Sequence, residues 1–460
     1  MSGDISRTVR KLVHCGPKRC IVAGAGVAGL LLATSCSGAG TAHRAVRHPS
    51  ANVTITSGNV TFSSAGSGAG QALHAAGSAH AAAQLDTRPD LGVRVAAQRG
   101  TLTSVTVRNS AGRVLPGSYR GGASSWQTSY ALAPSQTYQV TATAVNARHK
   151  QTEISGTFRT FRPAHSIVAS TTITPRQSYG IGMPIMISFS RPVTNKAAVE
   201  RSLQVTSSKP VTGAWYWMNS KAVWFRPERY WPAHTQVHFT AHLAGVQVAP
   251  GVFGRANLSQ HFRIGNSLVV VANTATHYMK VWWKGRRIGA WPISTGRPGM
   301  DTADGRYLSF DMANPVDMNS ATIGIPAGSP GYYNELVYDA VQFTMSGTYI
   351  HSAPWSVGEQ GIVNVSHGCV NLGPANAVWY YDHSMLGDPI SVVGSPVRGT
   401  WNNGWTIYFL SWHKLLAGSA TGDAVLTSAS GSQFVPGSTV APSTASGPAA
   451  PVQVTRLDPA

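Results

Sequence analysis

A chain of 460 residues is long enough for about three domains at ~150 residues each, and its size alone requires no disulfide or metal staple. Charged residues make up only 12% and hydrophobic residues 43%, with 48 Gly and 27 Pro, which excludes a coiled coil, a collagen and a wholly disordered charged chain. Lys and Arg number 36 against 17 Asp and Glu, a net charge of +19, so anionic partners are favoured. The basic residues are scattered, with no recognition helix and no zinc-finger spacing, which argues against nucleic acid as a partner.

Residues 1–36 read as an export segment. Arg7, Arg10, Lys11, Lys18 and Arg19 precede an apolar run over 21–33, which is too short for a membrane-spanning helix of ~20 residues. Ala33-Thr34-Ser35-Cys36 resembles a bacterial lipoprotein box, with its Leu displaced by one position to Leu32. The expectation is a lipid anchor on Cys36 and a location on the outer face of the plasma membrane; ordinary cleavage and an uncut anchor are the alternatives. Gly24, Gly26 and Gly29 fit a dinucleotide-binding turn, but no acid follows before Asp86 and no βαβ unit is visible, so no cofactor is expected.

Residues 37–84, rich in Ala, Gly, Ser and Thr, read as a flexible linker. Short alternating strands then recur, for example Leu102 to Arg108, Tyr138 to Val145, Ile185 to Ser190 and Val223 to Arg226. A faint repeat relates 136–142 to 234–241, each followed by a closing strand, at Thr157 to Thr160 and at His261 to Ile264. This spacing predicts two tandem immunoglobulin-like β-sandwiches, over 85–164 and 165–266. Residues 267–395 change character: strands at Ser267 to Ala272, Met279 to Trp283 and Ile288 to Ile293 lead into longer loops. A Trp-bearing packing segment is expected over 396–417 and a disordered tail over 418–460. The whole is predicted to be mainly β.

The chemistry-bearing cluster lies late in the chain. His351 and Ser352 are followed by Ser366-His367-Gly368-Cys369-Val370-Asn371. If the export segment is removed and Cys36 acylated, Cys369 is the one thiol without a partner, which exported proteins usually avoid unless the thiol is used. A thiol is mostly protonated at neutral pH, and a nearby imidazole can take its proton. His351, at a strand end, is the better-placed base, with a carbonyl near Ser352 as the partner of its other ring nitrogen. Gly368 lets backbone amides near 368–369 approach an oxyanion. The competing structural reading makes Cys369 a small buried apolar residue. A metal reading of His351, His367 and Cys369 lacks a second cysteine, so no metal is expected.

His351 followed by S-H-G-C-V-N resembles the signature of the L,D-transpeptidases, which cross-link bacterial peptidoglycan. The resemblance covers about 267–395 closely, and the two sandwiches and the Trp-bearing tail extend it, as in the actinobacterial enzymes. It implies a β-rich catalytic domain. Cys369 would attack a tetrapeptide stem at its third residue and expel D-Ala, with His351 as general base. A second stem would resolve the thioester to a 3→3 cross-link. The resemblance also implies a supporting role for His367, donor contacts at Tyr333, Ser346, Gly347 and Asn371, a lid loop containing Met318, and covalent trapping by carbapenem β-lactams. Some relatives hold a cation through carboxylates in the second sandwich; the stretch from Gly245 to Asn257 has none here, so no metal is expected there either. The same site could instead serve an L,D-carboxypeptidase or a protein-anchoring enzyme, and a non-catalytic wall-binding protein is a further alternative.

Overall fold

The computed structural model describes residues 50–64 and 86–435. The export segment expected over 1–36, with Cys36, lies outside the described residues. Among those described, no helix is long and apolar enough to cross a membrane.

Three β-rich bodies follow one another. The first sandwich packs a five-stranded sheet on a four-stranded one. Their inward residues, among them Val95, Trp126, Tyr138, Val140 and Phe158, form one core. The linker expected over 37–84 is corrected here. Asn52–Ser57 and Val60–Ser63 form a hairpin in the five-stranded sheet, with Val53, Ile55, Val60 and Phe62 buried in the same core. The apolar residues alternate with Thr and Ser, so one face of the hairpin can be buried while the other stays in water.

The second sandwich is built around Trp215, Phe225, Trp231, Phe239 and Phe262. The faint repeat in the sequence corresponds to a repeat in topology. In the first module Thr137–Val145 pairs antiparallel with the closing strand Gln151–Thr160, and the short strand Asp86–Thr87 lies parallel to that closing strand. In the second, Gln236–Ala241 pairs with Leu258–Ile264, and Ser178–Tyr179 lies parallel to it. A left-handed residue precedes the first strand of each pair, Ser135 in one module and His234 in the other. The modules meet where Tyr130 stacks on His242 at 3.5 Å and Arg88 donates to Gln247 at 2.9 Å.

The tail expected over 418–460 is also corrected. Ala424–Thr427 and Ser432–Val435 form a hairpin that adds to the second module through Thr212 and Gly213. Ahead of it the chain is held by the buried Glu200. That carboxylate accepts from Trp217 Nε1 (3.1 Å), the Ala420 amide (2.7 Å), Thr421 Oγ1 (3.0 Å) and Ser419 Oγ. A buried charge needs such a set of donors.

The third body is a ten-stranded mixed sheet with the helix Pro374–His383 packed on it. It joins the second module where the Gly180 and Gly182 amides donate to Leu386 and Gly387 carbonyls at 2.8 and 2.9 Å. A Cβ at Gly180 would fall 2.3 Å from the Asp388 amide, so this approach requires glycine.

Candidate active site

Two short parallel strands in the catalytic sheet create the site. Tyr349–Ser352 pairs with Val370–Leu372, in the register Ile350 to Val370, His351 to Asn371 and Ser352 to Leu372. Side chains alternate along a strand, so Tyr349 and His351 project to one side, and Asn371 and the preceding Cys369 project to the same side of the neighbouring strand. His351 thus faces the same side as Cys369, diagonally across from it through its register partner Asn371. The eighteen residues between them in sequence loop out and return.

The returning loop is stitched down before it reaches the thiol. Asn364 Oδ1 accepts from the Thr295 amide (3.0 Å) and Thr295 Oγ1 (2.7 Å), and its Nδ2 donates to Thr274 O at 2.9 Å. The Ser366 amide donates to Thr295 O (3.0 Å), and the Arg297 amide donates to Ser366 O (2.9 Å). Ser366 Oγ donates to Cys369 O at 2.7 Å, and Thr302 Oγ1 donates to Gly368 O at 2.7 Å. Gly368 has φ +126°, a left-handed backbone that turns the chain sharply between His367 and Cys369. The two residues therefore diverge and do not share a strand face. The Gly368 amide is already bonded to Ser366 Oγ (3.1 Å), so of the two amides only that of Cys369 could meet an oxyanion.

His351 is buried, and its Nδ1 lies 2.9 Å from the Ser352 carbonyl oxygen. A carbonyl only accepts, so Nδ1 carries the hydrogen and Nε2 keeps its lone pair, the tautomer a general base needs. Burial pulls the imidazole below its usual pKa, and the Ser352 bond opposes this. Protein atoms crowd the Cys369 thiol, although part of it remains open to solvent. Burial pushes it up to about 11, against the opposing Tyr349 N–H, which donates to Sγ at 3.4 Å. Sγ also lies 3.7 Å from the Gly347 carbonyl. Both shifts favour neutral thiol beside neutral imidazole.

The remaining expected residues surround this pair. Tyr333 packs on His367 with ring centroids 4.6 Å apart. Burial raises the Tyr333 hydroxyl, with further lifting from Cys369 and Glu335 and an opposing pull from Arg297. Ser346 and Gly347 form the turn next to the thiol, and Gly347 has φ +89°. Asn371 is buried and donates to Ser356 Oγ at 3.0 Å, which ties its strand to the turn after His351. Met318 sits on Val316–Asn319, paired with Glu335. Sequence reasoning missed Asn403, whose amide brackets Ser346 by accepting from its N–H (2.9 Å) and donating to its Oγ (2.9 Å). It also missed Arg297 and Thr302, because isolated polar residues on loops carry no periodic signal.

The arrangement defines a class, a thiol–imidazole centre suited to acyl transfer on a β-rich scaffold. Family comparisons agree with it. Residues 267–392 match the family model of the L,D-transpeptidase catalytic domain, and residues 84–247 match that of a bacterial Ig domain. L,D-transpeptidase 2 of Mycobacterium tuberculosis is 35% identical over 69% of this chain and 79% of its own. L,D-transpeptidase 1 of the same species is 41% identical over 47% of this chain and 80% of its own. Among solved structures, L,D-transpeptidase 3 of that species with a faropenem-derived adduct is 34% identical, covering 48% of this chain and 96% of that one, with a TM-score of 0.41. The chain belongs to the L,D-transpeptidase family, the peptidoglycan cross-linking enzymes.

Proposed function

We propose that this protein forms 3→3 cross-links between peptidoglycan stems through a thioester on Cys369. The observation that supports the reading is the parallel pairing that puts His351 opposite Asn371, two residues from Cys369, with the Ser352 carbonyl holding Nδ1 so that Nε2 is the basic nitrogen. In the first half-reaction the Cys369 sulfur bonds to the carbonyl carbon of the stem's third residue as its proton passes to His351 Nε2. The oxyanion is held by the Cys369 amide. The C–N bond then breaks, and the departing D-Ala amine takes the proton from His351. In the second half the side-chain amine of another stem attacks the thioester, and His351 Nε2 receives its proton. Sulfur leaves and regains that proton as the thiol. No net proton is consumed and no cofactor takes part.

The strained carbonyl of a carbapenem offers the same sulfur an acyl group whose amine cannot diffuse away, so covalent trapping of Cys369 follows from the same chemistry. Export with acylation of Cys36 on the outer face of the membrane is the location that fits such a substrate, and it rests on the sequence of the first 36 residues. The test uses purified disaccharide-tetrapeptide with the wild type and Cys369→Ala side by side, read by mass spectrometry. The expected products are a 3→3 dimer and free D-Ala from the wild type alone. Tripeptide and D-Ala without a dimer would make it a carboxypeptidase, and turnover by Cys369→Ala would remove the nucleophile.

A further inference from the structure

A second group of polar atoms stands beside the thiol and has no partner. Arg297 is fixed at its backbone: its amide donates to Ser366 O at 2.9 Å, and its carbonyl accepts from the Met300 amide at 2.8 Å. Pro298 further restricts the Arg297 backbone to extended forms. The half-buried guanidinium itself makes no ion pair; among the described residues the ion pair present is Arg88–Asp90. His367 Nε2 is buried and also lacks a hydrogen-bond partner. The two converge. An ideal Cβ on Gly331 would lie 3.5 Å from Arg297 Nη2 and 3.9 Å from His367 Nε2. Gly331 carries no side chain and has φ +86°, so no Cβ stands against the two nitrogens. Tyr333, against the other side of His367, closes the wall.

A guanidinium and an imidazole nitrogen that converge without partners suit an anion, and a planar guanidinium suits a carboxylate in particular. A buried nitrogen left without a partner is costly, and a bound ligand would recover that cost. The place of this pocket along the chain narrows the choice. His367 is separated from Cys369 by Gly368 alone, and Arg297 is bonded to the residue before His367. Tyr333, which packs on His367, feels the charges of both Arg297 and Cys369, so a carboxylate held by the pair lies in the neighbourhood of the carbonyl under attack. In a tetrapeptide donor the terminal carboxylate is one residue beyond that carbonyl, about 3.8 Å along the chain.

We propose that Arg297 and His367 bind the terminal carboxylate of the donor stem and so select stems that end one residue past the scissile bond. This deepens the acyl-transfer reading and rests on it. Arg297 is here a binding residue that reads the leaving group. The charge of Arg297 also lowers the His367 imidazole, after burial, which is consistent with the two groups facing each other until an anion separates them.

The experiment compares two synthetic donors, a tetrapeptide with a free C-terminal acid and the same peptide as its C-terminal carboxamide. Acylation of the full-length protein is followed by intact mass. The wild type is expected to favour the acid by about tenfold or more in kcat/KM. Arg297→Gln should lose that preference by slowing the acid and leaving the amide unchanged, and Arg297→Lys should restore part of it. Alkylation of Cys369 by iodoacetamide should proceed at the wild-type rate in both variants, which shows an intact fold and thiol. Equal rates for acid and amide in the wild type, or an equal loss on both donors in Arg297→Gln, would overturn the proposal. Turnover of either donor by Cys369→Ala would instead overturn the acyl-transfer reading beneath it.

Discussion

The electrostatics of the pair lead to a prediction about when sulfur becomes reactive. With the thiol held up at about 11 by burial, the thiolate fraction at pH 7 is about 10⁻⁴. Four pH units correspond to about 5 kcal/mol, an amount that transfer to a base must supply during attack. His351 meets that need because burial lowers its pKa, so it remains neutral and able to accept a proton at pH values where an ordinary imidazole is already charged. A small alkylating agent has no leaving amine and depends on free thiolate. Its rate with Cys369 should therefore rise about tenfold per pH unit from pH 7 and flatten only above about pH 10. The limb should have the same slope in His351→Ala, whereas acylation by a carbapenem at pH 7 should fall by about 10²–10⁴ in that variant. Stopped samples analysed by intact mass across pH 5 to 11 give both rates. A plateau in alkylation from pH 6 upward would show a preformed thiolate–imidazolium pair and refute the argument.

Three further outcomes follow from named contacts. The acid limb of kcat/KM for cross-linking should lie below the ordinary imidazole pKa of ~6.5, because protonation of His351 abolishes the base only once pH falls through its lowered pKa; a pH–rate profile with its limb above 7 would contradict this. Glu200→Ala would strand the Trp217 Nε1 and Ala420 N–H donors and should lower stability by about 3 kcal/mol, read as a fall in Tm of several degrees. Asn403→Ala removes both bonds to Ser346 and should raise KM for the donor by about threefold to tenfold, with alkylation of Cys369 unchanged.

What was legible in the sequence follows from how each feature is encoded. Strands that bury one face declare themselves by alternation, so Thr101–Asn109, Thr137–Val145 and Tyr278–Trp283 were expected within a residue or two of where they lie. Asn52–Ser57 alternates just as cleanly, but it sits among Ser, Gly and Ala and was read with them as linker. Ala424–Thr427 was lost in the same way at the other end. His351 and Cys369 were legible because a thiol and an imidazole are scarce groups whose chemistry is specific. Thr302, Ser366 and Asn403 are common polar residues; their importance comes only from the topology that brings Thr302 to Gly368 O and Asn403 to Ser346. The oxyanion donor illustrates the limit. Gly368 drew attention to the amides of 368 and 369, but only the structure shows that its own amide is taken by Ser366 Oγ.

The second immunoglobulin-like module is more than a spacer, because the chain beyond the catalytic sheet connects the two. Asn403 grips the Ser346 turn next to the thiol. A few residues later Leu410 O accepts from Arg226 Nη2 at 3.0 Å, and Tyr408 Oη donates to Arg229 O at 3.3 Å, both partners lying in the second module. Ile407, Tyr408 and Leu415 pack with Ala214 of that module and Leu308 of the catalytic sheet in one small core. Beyond it Ser419, Ala420 and Thr421 close on Glu200, and the last described strands extend the module's sheet. One continuous segment thus runs from the Ser346 turn beside Cys369 into the interior of the neighbouring module. Ordering of the Ser346 turn is consequently coupled to the folding of the second module. A lesion at Glu200, whose partners Trp217, Ser419, Ala420 and Thr421 all lie away from Cys369, should reach the Ser346 turn through Asn403 by loosening the segment that positions it.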